Sequence, residues 1–199
     1  MANNNAPFGL RPVQNMGTGP YDGVIQQFSV PAGDANAIYV GDLVKLAGTG
    51  QFINGQTFTD IAIAASGDVF VGVVVGFLAD TRDSLLYRAA STQRVALVCT
   101  DPNALFEVQQ GNSGTALTAN DIGLNANISV VAGSTVTGLS GSVIDNTTEA
   151  TTNTLDLKIV GMVNRADNDP GTAVGTGAAA SRFLVRLNRH LYVNQIAGV

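Results

Sequence analysis

The stretch Val69–Leu78, VFVGVVVGFL, decides the fold class that the sequence predicts. β-Branched residues dominate it, and they favour extended backbone over helix. Gly72 and Gly76 would each destabilise a helix by about 1 kcal/mol relative to alanine. We therefore expect a central β-strand here, with the glycines marking a bulge or a close crossing of strands such as barrels use at their corners.

Short β-rich runs separated by turn residues lie on both sides of this strand. Their spacing is typical of an all-β sandwich or barrel, and 199 residues fit a single domain. Asp101-Pro102-Asn103 is a turn signature, which predicts a hairpin between the two runs that flank it. The further strands are predicted at Val24–Val30, Ala37–Leu46, Arg94–Thr100, Ala104–Gln109, Ile128–Val131, Ser142–Ile144, Thr154–Val163 and Ser181–Leu187.

Helix is scarce in the sequence. We expect no more than a turn or two at 80–90 and another at 119–124. The segment 48–50 is interpreted as a turn between strands, and the stretches 133–154 and 167–180 as long Gly/Ser/Thr-rich loops. Loops of that length in a compact domain are usually functional or mobile.

The first 22 residues differ in composition from the rest. They hold three of the six prolines together with isolated apolar residues, and proline removes a backbone donor and fixes φ. We interpret 1–22 as an extended N-terminal arm and 23–199 as the β-barrel or β-sandwich domain. A frayed terminus is the alternative, but the apolar residues favour an arm that docks on another surface.

The composition favours some classes of function and disfavours others. Charged residues make up 13% of the chain against a typical value of about 25%, so a weakly charged surface that neighbouring subunits cover is favoured. A net charge of -5 without a basic run disfavours binding to nucleic-acid phosphates. The N-terminus lacks the pattern of a signal peptide, and no apolar stretch approaches the roughly 20 residues that span a membrane.

No residue pattern predicts an enzyme or a cofactor. Cys99 and His190 are the only residues of their types, and neither lies in a nucleophile motif. We expect Cys99 in the core and His190 at the surface or an interface. The stretch 175–180 imitates a dinucleotide-binding fingerprint, but it follows a turn and precedes a strand, so it does not predict a nucleotide site. Asp80 and Asp83 flank Arg82, and we interpret them as a solvated ion-pair cluster rather than as a catalytic carboxylate pair.

The segment Asp167-Asn168-Asp169 leaves two interpretations open. It matches the first half of a calcium loop, but the glycine and the terminal glutamate are absent at the required offsets. Asp167 and Asp169 are therefore candidate calcium ligands at a loop or a subunit contact. The alternative is an Asx-type turn that needs no metal.

Five segments scattered from end to end of the chain share a resemblance: Asn5–Val13, Val40–Lys45, Val71–Gly76, Asp101–Gln109 and Phe183–His190. They resemble small virion structural proteins of tailed bacteriophages, in particular capsid decoration (cement) proteins. The resemblance implies a β-barrel or β-sandwich homotrimer on the capsid exterior, bound where major capsid protein subunits meet and synthesised in the bacterial cytoplasm.

The arm is the predicted attachment element under this interpretation. Several arms per oligomer would combine weak contacts into stable attachment through a high effective concentration. A receptor- or glycan-binding virion module is the alternative, although a chain with no Trp and 6% aromatic residues offers few sugar platforms. The predicted capsid or subunit contacts are Pro7, Phe8, Leu10, Arg11, Pro12, Val13 and Tyr21.

Overall fold

The structure, a computed structural model, describes residues 3–17, 19–168, 180–193, 195 and 197–198. Over this part of the chain it is built of β-strands, with a single 3₁₀ turn at Ala119–Asp121, so the predicted all-β class is confirmed. The strands are β1 Arg11–Asn15, β2 Gln26–Val30, β3 Leu43–Ile53, β4 Gln56–Ile63, β5 Gly72–Phe77, β6 Arg94–Cys99, β7 Ala104–Gln109, β8 Asn125–Ser129, β9 Val143–Ala150, β10 Leu157–Met162 and β11 Arg182–Leu187.

Five strands close into a barrel in the order β2-β4-β3-β5-β6. All its pairs are antiparallel except β2 and β4, which run parallel through Ser29 and Asp60. Apart from Ala96, the barrel core is β-branched or aromatic, which suits a packed barrel interior. The barrel core consists of Phe28, Val30, Ile38, Val44, Ile61, Val71, Val74, Ala96 and Val98.

The other six strands form a sheet in the order β1-β7-β11-β10-β8-β9. Phe183, Val185 and Leu187 alternate along β11 with half-exposed residues, so the sheet has one buried face and one outer face. The buried face packs on Phe70 and Cys99 of the barrel side, and one hydrophobic cluster contains residues of both sheets. Barrel and sheet therefore share a core.

The glycines of the central strand behave as predicted. A Cβ on Gly72 would lie 2.1 Å from the carbonyl oxygen of Cys99, so only glycine allows β5 and β6 to approach this closely. The register of the same pair shifts between Val74 and Gly76, which is a bulge. The bulge and the close approach both help the barrel to close.

The predicted hairpin at Asp101–Asn103 and the predicted turn at 48–50 are wrong. The Asp101–Asn103 turn exists, with Asp101 Oδ1 accepting the backbone N–H of Asn103 at 2.8 Å, but β6 continues the barrel and β7 enters the other sheet. The expected hairpin is therefore a crossover between sheets. Residues 48–50 lie within β3, where the register shifts between Leu46 and Gly50 and lets a long strand continue past the glycines.

Three local predictions also fail. The sequence interpretation missed β4, and β9 extends to Ala150 within the predicted 133–154 loop, well beyond the short strand predicted at Ser142–Ile144. Residues 80–90 form bends and turns instead of helix. For β9, pairing with β8 decides the outcome over local propensity. Most of the predicted 167–180 loop and all of the 175–180 stretch lie outside the described residues.

Candidate interaction surfaces

The predicted arm lies against the protein's own sheet. Strand β1 pairs antiparallel with β7, and Gln109 of β7 holds the preceding residues by accepting the N–H of Ala6 at 3.1 Å and donating to Asn5 at 2.7 Å. Phe8 and Leu10 are buried against this body, at 8% and 2% exposure. The role of this segment as a capsid contact stays a prediction, but its buried members act first as core.

A crossing of two glycines fixes the path of this segment. Gly9 and Gly41 both have positive φ, at 72° and 95°, and the N–H of Leu10 donates to the Gly41 carbonyl at 3.0 Å. A Cβ on Gly9 would lie 2.5 Å from the Gly41 oxygen and 2.6 Å from the Cβ of Ser140. The N-terminal segment is therefore seated on the barrel at a point that excludes any side chain.

An apolar groove opens between the N-terminal segment and the barrel. It has a cavity volume of about 210 Å³ and is lined almost entirely by aliphatic, aromatic and proline side chains. Five of the seven predicted contact residues line it, whereas Pro7 and Val13 do not. The lining residues are Phe8, Leu10, Arg11, Pro12, Tyr21, Val40, Val74, Val75 and Leu139.

The groove continues into a second apolar hollow of about 400 Å³, which shares Val40, Val75 and Leu139 with it. Leu85 and Leu86 line this second part and are 50% and 70% exposed. Large apolar side chains this exposed are unfavourable in water unless something covers them. We call the two hollows together the apolar groove.

A buried glutamate organises the arginines on the other side of the N-terminal segment. Glu107 of β7 is 3% exposed, and its carboxylate accepts hydrogen bonds from both terminal nitrogens of Arg165, at N···O distances of 2.7 and 3.1 Å. Arg182 lies 3.8 Å from the same carboxylate. The guanidinium groups of Arg11 and Arg182 lie over the Phe8 ring, at 4.6 and 5.6 Å from its centroid, in cation–π geometry. Hydrogen bonding to Glu107 raises the pKa of Arg165.

Asp167, the first residue of the candidate calcium-binding segment, forms ion pairs with two arginines. Asp167 lies 3.1 Å from both Arg165 and Arg182, and hydrogen bonding from Arg165 holds the pKa of Asp167 below its usual value. The neighbouring Asn168 bonds the backbone of Val163 and Arg182, as a turn residue does. Asp169 lies outside the described residues. Across the described ranges, no group of three or more His, Cys, Asp or Glu residues is arranged to hold a metal.

His190 is buried, so its predicted surface position is wrong. It is 2% exposed, because the chain after β11 turns back onto the barrel, where Phe70 and Arg189 share a backbone bond of 2.8 Å. Burial lowers the pKa of His190 and raises that of Cys99. The core position predicted for Cys99 is confirmed. Both groups favour their neutral forms.

Asp42 is a buried carboxyl next to the glycine crossing. It is 1% exposed and accepts the backbone N–H of Tyr39 at 2.8 Å. Burial raises the pKa of Asp42 to about 6, because its contacts with Ser140 and with the Tyr39 N–H offset only part of the desolvation. The docking point of the N-terminal segment therefore lies beside a group that titrates near neutral pH.

Sequence reasoning missed the apolar groove and the Glu107 cluster. Both depend on residues that are distant in sequence, such as Arg11, Glu107 and Arg182. Comparison of the chain with family models, curated proteins and solved structures finds no match. Among the described residues, none forms a helix with the length and apolarity that crossing a membrane requires.

Proposed function

We propose that this protein is a non-enzymatic capsid decoration protein of a tailed bacteriophage. It binds the outside of the assembled capsid as a homotrimer and stabilises the contacts between major capsid protein subunits. The observation that carries the proposal is the apolar groove, in which the predicted contact residues meet the exposed leucines of the barrel. Such a surface suits a partner that covers it permanently.

The groove supports attachment better than catalysis. It contains aliphatic and aromatic side chains with Arg11 and Arg94 at its margins, and its lining includes no carboxylate, histidine or cysteine. Acid–base or nucleophilic chemistry needs such groups within reach of one another. Covering Leu85 and Leu86 would instead remove apolar area from water, which drives association.

Decoration would stabilise the shell by mass action. A protein that binds the assembled capsid but not its free subunits shifts the equilibrium toward assembly. Three protomers attached at once would also raise the effective concentration of each remaining contact. Weak individual grooves are therefore sufficient for stable attachment.

The test is a binding assay with capsids of the source phage assembled without this protein. Deleting residues 1–22 would also remove buried Phe8 and Leu10, so substitutions on the surface are preferable. We expect saturable binding by the full chain and at least a tenfold loss of affinity for the double variant Leu85→Ser/Leu86→Ser. Phe52→Ser is the matched control, because Phe52 is 75% exposed and lies outside the groove.

Absence of binding by the full chain would overturn the proposal and bring a receptor- or glycan-binding role forward. Binding that the leucine double variant and Phe52→Ser retain equally would show attachment through another surface. Protection of the capsid against heat, measured as the rise in its melting temperature on saturation, should disappear together with the binding.

A further inference from the structure

The basic residues of this acidic chain are concentrated on one face. Cross-strand pairing places Arg11 beside Glu107 and Lys158 beside Arg186, all opposite the core-facing positions of their strands. We call this surface the outer sheet face. Five of the ten Lys and Arg residues of the sequence belong to it, together with the ion-paired acids Glu107 and Asp167 and with Asp145, which lies next to the core-facing Ile144 on β9 and therefore points outward. The basic residues are Arg11, Lys158, Arg165, Arg182 and Arg186.

Outside the outer sheet face, acidic residues outnumber basic residues. Twelve of the fifteen acidic residues and only five basic ones lie elsewhere in the chain. Asp101 lies close to the outer sheet face, because Arg186 donates to the carbonyl of the adjacent Pro102 at 3.1 Å. A protein of net charge -5 thus presents one positively charged surface, and such asymmetry orients a protein as it approaches a charged partner.

Three of these basic groups have no carboxylate partner within the described part of the chain. Arg186 donates to the carbonyl of Pro102 at 3.1 Å, and Lys158 donates to the carbonyls of Gly123 and Ala197. Arg11 is exposed and stacks on Phe8. The fold does not need these charges for ion pairing, so they remain available to a partner.

Lys158 and Arg186 are register partners on β10 and β11, and only backbone carbonyls bind their charged groups within the described part of the chain. Like charges opposite each other on neighbouring strands are destabilising, by an amount similar to what an opposite-charge pair contributes. A carboxylate brought between them would remove the repulsion and add two charge-assisted hydrogen bonds. The pair therefore fits an acidic group supplied by another molecule.

The composition of the face favours a protein partner over a nucleic acid. Four of its five basic residues are arginines, whose planar fork matches a carboxylate, and Arg165 already makes that contact with Glu107. Half-buried Leu184 lies in the same cross-strand row as Glu107 and adds apolar contact area. Only three basic side chains of the face lack a carboxylate partner within the described residues, whereas typical DNA-binding proteins make about 6–10 contacts to phosphates.

We propose that the outer sheet face docks on an acidic protein surface, which, resting on the proposed function, belongs to the capsid shell. Arg11 lines the apolar groove and also belongs to this face, so the two surfaces are continuous. Burial of the apolar groove would drive association with the shell, and the charges of the outer sheet face would orient the protein on it.

The first arm of the test needs no capsid. Poly-L-glutamate serves as the acidic probe at low ionic strength, and binding is measured for the full chain and for Arg11→Gln, Lys158→Gln and Arg186→Gln. Arg82→Gln is the matched control, since Arg82 is exposed and lies outside the face. We expect each face variant to weaken binding about three- to tenfold and the control to change it less than twofold. Thermal unfolding checks that every variant is folded.

Two results in this arm would overturn the inference: no binding of poly-L-glutamate by the full chain, or equal losses in the face variants and in Arg82→Gln. A short DNA duplex is run in parallel. If the duplex binds more tightly than poly-L-glutamate and loses affinity in the same variants, the face is a nucleic-acid surface and the inference is wrong.

The second arm repeats the series with capsids that lack the protein. We expect the same ranking of variants and an affinity that falls as salt rises from 50 to 500 mM. Capsid binding that is independent of salt and of these residues would contradict the assignment of the acidic surface to the shell. Failure of the full chain to bind capsids while it binds poly-L-glutamate would reject the proposed function and keep the face as an acidic-protein surface.

Discussion

At the residue scale, the path of the N-terminal segment depends on the crossing of Gly9 over Gly41. Gly9 lies in the segment that the sequence analysis interpreted as an arm, and Gly41 lies in the predicted strand Ala37–Leu46. The structure supplies a physical reason for them. A side chain at either position would collide with backbone, at 2.5 Å from a carbonyl oxygen in both cases.

We expect Gly9→Ala to destabilise the protein by at least about 2 kcal/mol, because it combines positive φ with an unavoidable clash. Gly23→Ala is the matched control, since Gly23 has φ of 80° and open space around it. The control isolates the cost of the backbone conformation, which is about 1 kcal/mol. Chemical denaturation measures both. Equal losses in the two variants would show that the crossing is not tight.

The buried carboxyl of Asp42 leads to a prediction about how stability depends on pH. Its folded-state pKa of about 6 lies above the unfolded value of 3.8, so its protonated form stabilises the fold below pH 4 and that stability is lost as pH rises through 6. The shift corresponds to about 3 kcal/mol. We expect Asp42→Asn to gain stability relative to the parent by roughly this amount between pH 4 and pH 7. A difference in unfolding free energy that stays constant with pH would contradict it.

Single residues were predicted from the sequence with mixed success. Cys99 was placed correctly in the core, because its apolar neighbours follow the pattern of a buried strand. His190 was misplaced, since its burial depends on the chain end folding back along Phe70, a contact between residues 120 positions apart. Local sequence carries no signal for such a contact.

At the element scale, the strands that the sequence predicted best are those with a strong apolar pattern, β5, β6, β7 and β11. The β3–β4 hairpin was missed although Asn54-Gly55 at its tip is a strong turn signal, with φ of 49° and 85°. Strand β1 was interpreted as an arm because of Pro12. Its position at the sheet edge explains how a proline is tolerated there.

Arg88 shows how one side chain can hold two loops. It is fully buried and donates to the backbone carbonyls of Pro31 and Asp34 at 2.7 and 2.9 Å, of Thr92 at 2.7 Å, and of Asn36. Burial lowers the pKa of Arg88, but the carbonyls solvate its charge in place of water.

We expect Arg88→Met to destabilise the protein by about 4 kcal/mol, because four backbone carbonyls lose the hydrogen bond from the buried guanidinium at about 1 kcal/mol each. Arg82→Met removes the same charge from an exposed position and should change stability by less than about 0.5 kcal/mol. The free energy of unfolding in urea measures both. A loss below about 1 kcal/mol for Arg88→Met would show that water replaces the arginine.

At the scale of the whole molecule, barrel and sheet act as one body. Their shared core is reinforced by Asp156, which is fully buried at the start of β10 and accepts the Ser66 hydroxyl and the Gly67 N–H of the barrel side at 2.6 and 2.9 Å. The all-β class was predictable from composition and spacing. The division into a closed barrel and a six-stranded sheet was not, because it depends on which strands pair over long distances.

The central claim is that the apolar groove and the adjoining outer sheet face meet the capsid. Hydrogen exchange of the protein, free and bound to capsids, tests it most directly. We expect binding to slow exchange in the segments 8–16, 84–88 and 137–140 and along β11, and to leave the β3–β4 hairpin tip unchanged. Slower exchange confined to the hairpin tip, or no change in these segments at saturation, would contradict the account.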